Sequence, residues 1–476
     1  MSTSESDTIA TTDTDVTPVE NANRKQPFPR GFLDTISAGW AERPELTPSR
    51  RPQVPYTAAR RAAVSAAFPG QRLVLPAGTY KQRSNDTDYP FRAHSAFAHL
   101  TGWASDSVPD SVLVFDPREG GAGHDVTLYL RERADRTTAE FYSDATIGEF
   151  WIGPRPALAG VAGELGLTTA PIEDFAAEDG DLVLDEDPEL TRVVSELRLV
   201  KDDYEIAQLR LAVEVTARGF DDIVADLPRI IETPRGERAV EGIFHHRARI
   251  EGNGEGYDTI AASGPHACYL HWTRNDGAVL PGDLILIDAG AEVDSLYTAD
   301  ITRTIPVSGT FSPVQRMIYE TVREAADAAF AAARPGVKFR TIHEAAMRVI
   351  AERVAEWGLL PVTADEALDA DNGGQHRRYM VHGTSHHLGL DVHDCAQARR
   401  EMYYDGILEA GMVFTIEPGL YFQIDDLTVP EEFRGIGVRI EDDILMTADG
   451  PVNLSAGIPR TADEVEAWVA GHTATR

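Results

Sequence analysis

LILIDAGAEVDSLYTADITRT, residues 284–304, is the stretch on which the reading of this chain turns. Its two apolar ends read as strands, and AGAEVDSLYTAD (289–300) between them reads as the hairpin connection. Successive side chains of a strand take opposite faces, so Leu284, Leu286 and Asp288 point the same way. Asp288 stands where that alternation asks for another apolar residue. Burying an unpaired carboxylate costs on the order of several kcal/mol, so a cation or strong donors are expected beside it. Asp300, in TADITRT (298–304), is the second carboxylate in an apolar strand context.

Three later phrases extend the set. HGTSHHLGLDVHD (382–394) offers His386, FTIEPGLYF (414–422) offers Glu417, and GIGVRIEDD (435–443) offers Glu441. In MVFTIE (412–417), Met412, Phe414 and Ile416 share one face, and Val413, Thr415 and Glu417 share the other. In GVRIED (437–442), Arg439 shares a face with Glu441, where a guanidinium fixes a carboxylate's orientation. Taken singly, these residues read as a turn aspartate, an exposed glutamate before proline, or a satisfied structural histidine. Five together, each in an apolar strand setting, point to metal ligation.

Carboxylate oxygens suit manganese, magnesium or calcium, and one imidazole moves the preference toward manganese, cobalt, iron or zinc. Four carboxylates carry about four negative charges, which two divalent ions balance and one leaves about two units short. Two such ions roughly 3.5–4 Å apart share a hydroxide made from water at neutral pH. The expectation is a dinuclear metallohydrolase.

The rest of the chain sets the frame. At 476 residues it exceeds the size at which a single core keeps growing, so two domains are expected. A formal charge of −33 argues against nucleic acid and anionic membranes as partners. Cys268 and Cys395 are the only cysteines and give no disulfide framework, as expected in a reducing cytoplasm. No apolar run approaches the ~20 residues of a membrane span. Residues 1–30 read as a disordered acidic tail, 31–190 as an N-terminal α/β domain and 191–476 as the domain holding every candidate ligand.

In the N-terminal domain, helical patterns (TAARRAAVSAAF, 57–68; PALAGVAGELGL, 156–167) alternate with strands (RLVLPAG, 72–78; SVLVFDP, 111–117; DVTLYLRE, 125–132). The acidic stretch 173–189 reads as a surface linker, followed by one charged helix near 188–226. Leu197, Val200, Tyr204, Ala207 and Leu211 fall on one face of that helix. Amphipathic helices are expected over 313–333 and 339–358.

His271 in CYLHWTRND (268–276), His382 and His393 are candidates for proton transfer and hydrogen bonding around the metals. His266 and His387 read as bystanders, and His245 and His246 sit on an exposed-looking helix. His343-Glu344 lacks the second histidine of a zinc-protease helix, and GNGEG (252–256) lacks the lysine of a phosphate loop.

With these phrases assembled, the chain resembles the proline-specific metallopeptidases of the pita-bread fold, aminopeptidase P (Xaa-Pro aminopeptidase) above all. RSNDTDYPFRAHSAFAHLTGW (83–103) is similar to that family's N-terminal segment. The resemblance implies an α+β fold, with a C-terminal pita-bread catalytic domain behind the smaller α/β domain. It implies that Asp300 and Glu441 bridge two metals, Asp288 binds one, and His386 and Glu417 bind the other. Mn²⁺ is the implied metal, with Co²⁺, Fe²⁺ or Zn²⁺ as alternatives. A metal-bridging hydroxide would attack the bond before proline while Glu417 assists proton transfer. His271, His382 and His393 would hold substrate, with Tyr421 and Arg439 in support. Homodimers or homotetramers are implied.

The gap from Asp288 to Asp300 is one residue longer than the family commonly shows, which a turn or bulge absorbs without moving the strand faces. The region 394–412 does not align, so Arg399 and Arg400 receive no role. Activity is expected on peptides with an N-terminal Xaa-Pro. A prolidase with the same metal site is the alternative, and an inactive binding protein on this scaffold is a distant third.

Overall fold

The structure, a computed structural model, describes residues 28–43, 48–85 and 87–473. Residues 1–27 of the expected acidic tail lie outside this range. The chain forms two compact units, the larger comprising Pro48–Gly78, Arg92–Arg131 and Leu158–Arg476. In the smaller, Phe32 and Ile36 of the Arg30–Ile36 helix pack on Ala134, Phe141 and Tyr142.

Within the larger unit the expected N-terminal segments form as read. Leu73–Pro76, Val112–Pro117 and His124–Leu130 are adjacent antiparallel strands, with the helices Val54–Ala67 and Leu158–Leu165 alongside in sequence. Thr168–Pro171 extends one edge in parallel. The stretch read as a linker is a correction: Leu182 and Val183 pair in parallel with Leu73 and Val74 and close the opposite edge. Two apolar residues suffice for that edge, and the acidic run around them masks it.

The single charged helix near 188–226 is also corrected. It is two helices, Pro188–Glu196 and Asp203–Glu232. Asp202 starts the second with a capping box, its side chain accepting from the Glu205 N–H at 3.1 Å while Glu205 accepts from the Asp202 N–H at 2.9 Å. The buried face is therefore Leu209, Ala212, Val213 and Thr216, while Val200, Ala207 and Leu211 are exposed.

The remainder repeats one plan. A helix pair, Asp203–Glu232 and Gly236–Glu251, precedes three antiparallel strands in the order Ile301–Pro306, Leu284–Ala289, Ile260–Ser263. A second pair, Pro313–Ala332 and Arg340–Glu356, precedes Val413–Ile416, Asp442–Thr447 and Gly450–Asn453, with a ribbon of Gly419–Tyr421 against Gly437–Arg439. Two halves of like order thus carry the two aspartates and the two glutamates.

A buried polar seam joins them. Glu441 N–H donates to Thr302 O at 3.1 Å, and the Thr304 hydroxyl donates to Arg439 O at 2.9 Å. The wholly buried Arg303 guanidinium reaches Glu441 O and the Asp442 carboxylate, both at 2.7 Å. Unpaired, these groups would each carry a full desolvation penalty, so the pairing fixes the register of the halves. The lengthened hairpin closes over 293–297, where Leu296 adopts φ 69° and is fully buried. Beside that left-handed turn the Leu284–Ala289 and Ile301–Pro306 ladder stays in unbroken register.

Candidate metal centre

Asp288, next to last in its strand, lies opposite Thr302 on one side and Ile260 on the other, so its backbone is fixed by pairing on both edges. Asp300 comes one residue before the partner strand begins. His386 is held by a second zipper: its N–H donates to the Thr415 hydroxyl at 3.2 Å, and the Thr415 N–H donates to its carbonyl at 2.9 Å. Glu417 continues that zipper by donating its N–H to Thr384 O at 2.9 Å. Glu441 sits on the seam, its side chain accepting from the Thr302 hydroxyl at 2.7 Å.

All five converge on one cavity of about 550 Å³, which His271, His382, His393 and Arg439 also line. Nε2 of His386 lies 3.3 Å from Asp300 and 3.5 Å from Glu417. One ligand atom each from Asp300, His386 and Glu441 lies within 4.8 Å of the other two. The Tyr257 hydroxyl is 2.7 Å from Asp288 Oδ1 and 2.6 Å from Asp300 Oδ1. It has a single proton to share between the two carboxylates.

The electrostatics point the same way. Burial and the neighbouring carboxylates push Glu441 well above the usual carboxylate range. Burial pushes Glu417 up to about 7, against the pull of His386 and Arg439. Asp300 is raised chiefly by burial, with Asp288 adding to it. For His386 burial works to lower the imidazole, but the hydrogen bond to Asp300 and the charge of Glu417 win and carry it up to about 9. Buried like charges that suppress their own ionisation are a donor set short of positive charge, and hard divalent cations satisfy that shortage. The residues fit the metals.

Around this set the supporting groups form a chain. Arg439 Nη2 binds Asp288 Oδ2 at 2.5 Å, Nε donates to the Thr302 hydroxyl at 3.1 Å, and Nη1 donates to the Tyr421 hydroxyl at 3.2 Å. Tyr421 in turn is 2.8 Å from His382 Nε2. Gly383 O, 2.6 Å from His382 Nδ1, only accepts, so the proton sits on Nδ1 and Nε2 accepts from Tyr421. Burial and Arg439 lower His382 to about 3, consistent with that neutral tautomer. The His393 ring meets His386 edge-on at 4.4 Å, and His271 is exposed along the cavity wall.

Sequence reading missed Tyr257 and Thr302, which touch three of the five candidates; neither carries a motif, and only the fold brings them there. The bystander residues stay away: His266 pairs with Glu237 at 2.7 Å, and His387 is buried against Phe339 with ring centres 4.6 Å apart. Arg399 is held by Glu196 at 2.8 Å and Arg400 by Asp405 at 3.1 Å, and neither lines the cavity.

A two-fold repeat of helix pair and sheet with buried carboxylates converging at its centre defines a metal-dependent hydrolase of pita-bread architecture. The chain belongs to metallopeptidase family M24, which residues 207–448 match, and residues 57–186 match the aminopeptidase P N-terminal domain. It is 51% identical over 463 residues to Xaa-Pro aminopeptidase 1 of Streptomyces coelicolor, covering 92% of each protein. It is 34% identical to the Xaa-Pro aminopeptidase of Escherichia coli K12, over 86% of this chain and 96% of that one. The structure of Pseudomonas aeruginosa aminopeptidase PepP aligns at TM-score 0.75 and 32% identity, covering 89% of this chain and 99% of that one. Escherichia coli aminopeptidase P with the inhibitor Pro-Leu aligns at TM-score 0.75 and 31% identity, over 89% and 99%. The protein is a metallopeptidase, and its cofactors are divalent metal ions.

Proposed function

We propose that the chain is a Xaa-Pro aminopeptidase, releasing the N-terminal residue from peptides with proline second. The convergence of Asp288, Asp300, His386, Glu417 and Glu441 on one cavity carries the reading. In it, Asp288, Asp300, His386, Glu417 and Glu441 would hold two divalent ions, with Asp300 and Glu441 serving both. The position of Asp300, sharing Tyr257 with Asp288 on one side and 3.3 Å from His386 on the other, supports a bridging role. Mn²⁺ is the metal we expect. When bound, such ions acidify water and polarise a carbonyl.

Each protein group has a step. The bond before proline is a tertiary amide, so its nitrogen leaves only when protonated. Glu417, 3.5 Å from both His386 and His382, takes the proton from the attacking water and delivers it to that nitrogen. His271 and His393 line the cavity where the substrate carbonyl enters and donate to the developing oxyanion. Arg439 and Tyr421 hold Asp288 and His382 in place.

Among the described residues, Arg439 is the single Arg or Lys lining this cavity, and its Nη2 is committed to Asp288. A dipeptidase needs a free cation for the proline carboxylate, so this arrangement favours longer substrates over a prolidase role. We keep the domain boundary near residue 190, a placement supported by family matches ending at 186 and starting at 207. No helix among the described residues is long and apolar enough to cross a membrane. Cytoplasmic location and a homodimer or homotetramer are part of the same proposal. The test is kcat/KM on matched Xaa-Pro and Xaa-Pro-Xaa peptides with saturating Mn²⁺. Tripeptides should be cleaved better; strong dipeptide preference would make the chain a prolidase, and efficient cleavage before other residues would overturn both.

A further inference from the structure

The YPFRAHS run of residues 89–95 is the part of the recognisable sequence to which the chemistry above gives no work. Arg92 of that run lies between the Thr87–Asp88 strand and the Ser95–Thr101 helix. Its Nε donates to Glu292 Oε2 at 2.7 Å, its Nη2 to Leu390 O at 2.6 Å and its Nη1 to the Ser95 hydroxyl at 3.2 Å. The Ser95 hydroxyl donates to Asp391 Oδ1 at 2.5 Å, and Arg92 Nη1 lies 3.5 Å from the same oxygen.

The two ends of this fork are in the two halves of the centre. Glu292 lies four residues beyond Asp288 and bridges to Thr298, two residues before Asp300. Leu390 and Asp391 lie between His386 and His393. The same two segments touch each other through the Thr298 N–H donating to Gly389 O at 3.1 Å. Glu292 is itself buried, and Asn253 donates to its other oxygen at 2.8 Å. Asp391 is also 3.7 Å from Arg198. A planar guanidinium reaches a carboxylate and a carbonyl in divergent directions at once, which an ammonium does not.

We propose that Arg92 is a positioning residue for the metal centre, a clamp that sets the spacing between the aspartate hairpin and the histidine loop. Resting on the metallopeptidase reading, this gives the N-terminal segment a direct part in building the site. Partners that orient metal ligands are typically worth about 10–100-fold in affinity or activity.

The test is Mn²⁺ titration of chelated wild type, Arg92→Ala, Arg92→Lys and Arg72→Ala, with kcat and KM measured on an Xaa-Pro-Xaa peptide. Arg72 is a matched control: it pairs with Asp116 at 2.7 Å and Asp181 at 2.8 Å in the N-terminal sheet, away from both ligand loops. Arg92→Ala should bind Mn²⁺ about 10–100-fold more weakly and lose kcat more than KM, with Arg92→Lys recovering little of either. Arg72→Ala should titrate like wild type. Wild-type affinity in Arg92→Ala, or an equal loss in Arg72→Ala, overturns the clamp. Should Arg92→Ala not fold, Arg92→Lys decides alone: weaker Mn²⁺ binding supports the clamp and unchanged binding overturns it. Failure of wild type to cleave Xaa-Pro peptides would sink the functional reading instead, leaving the titrations to judge the clamp.

Discussion

Metal loading should fall ever more steeply as pH drops, because the ligands hold protons that the ions must displace. A ligand atom binds metal only when deprotonated. His386 is held up to about 9, burial being outweighed by its bond to Asp300 and the charge of Glu417. Glu417 is held up to about 7, chiefly by burial. Below about 9 the His386 proton competes, costing about tenfold in apparent affinity per pH unit. Below about 7 the Glu417 proton joins it and adds about another tenfold per unit. Asp300 and Glu441, both raised, steepen it further.

The same shifts fix the sign of stability in the metal-free protein. Both groups bind protons more tightly folded than unfolded, so their contribution is fully present below their unfolded values of 6.5 and 4.5. It is lost as pH rises through about 7 for Glu417 and about 9 for His386. Metal-free Tm should therefore fall from pH 6 to pH 9, while metal protection grows over the same range. Competition titration of Mn²⁺ at pH 6, 7, 8 and 9, with calorimetric melting of the chelated protein, reads both. A flat affinity over that range, or a metal-free Tm that rises with pH, would refute the reasoning.

Glu417→Ala removes a ligand and the proton carrier together, so turnover should drop beyond the ~10²–10⁴ of acid–base work alone, and a few-fold loss would take Glu417 out of the site. His271→Ala and His393→Ala should keep their metal and lose kcat; depletion of an ion in either purified variant, measured by elemental analysis, would make that histidine a ligand. Tyr257→Phe leaves Asp288 and Asp300 without their shared donor and should cost about 10–100-fold in metal affinity or kcat with little change in folding. Unchanged titration and turnover would show the hydroxyl to be dispensable.

Much of the centre was legible because strands and metals impose local rules. Asp288 breaks an apolar alternation, and a buried carboxylate in such a place calls for a cation or strong donors. Helices beginning at Pro313 and Arg340 follow from periodicity and, for the first, from the Ser312–Gln315 capping box. Where local rules competed, periodicity lost: the Asp202–Glu205 box split a helix that three- and four-residue spacing ran through. The edge strand at Leu182–Val183 was hidden because two residues carry no period at all. What the sequence by itself determined is which atoms could hold metal and the family to which they belong. Tertiary structure alone decided that Tyr257 and Thr302 serve those carboxylates and that Arg439 reaches Asp288 across 151 residues. It alone let Arg92 span from Glu292 to Leu390. Such contacts depend on the register of the buried seam between the two halves, and a pairing of polar groups far apart in the chain leaves no periodic trace in it.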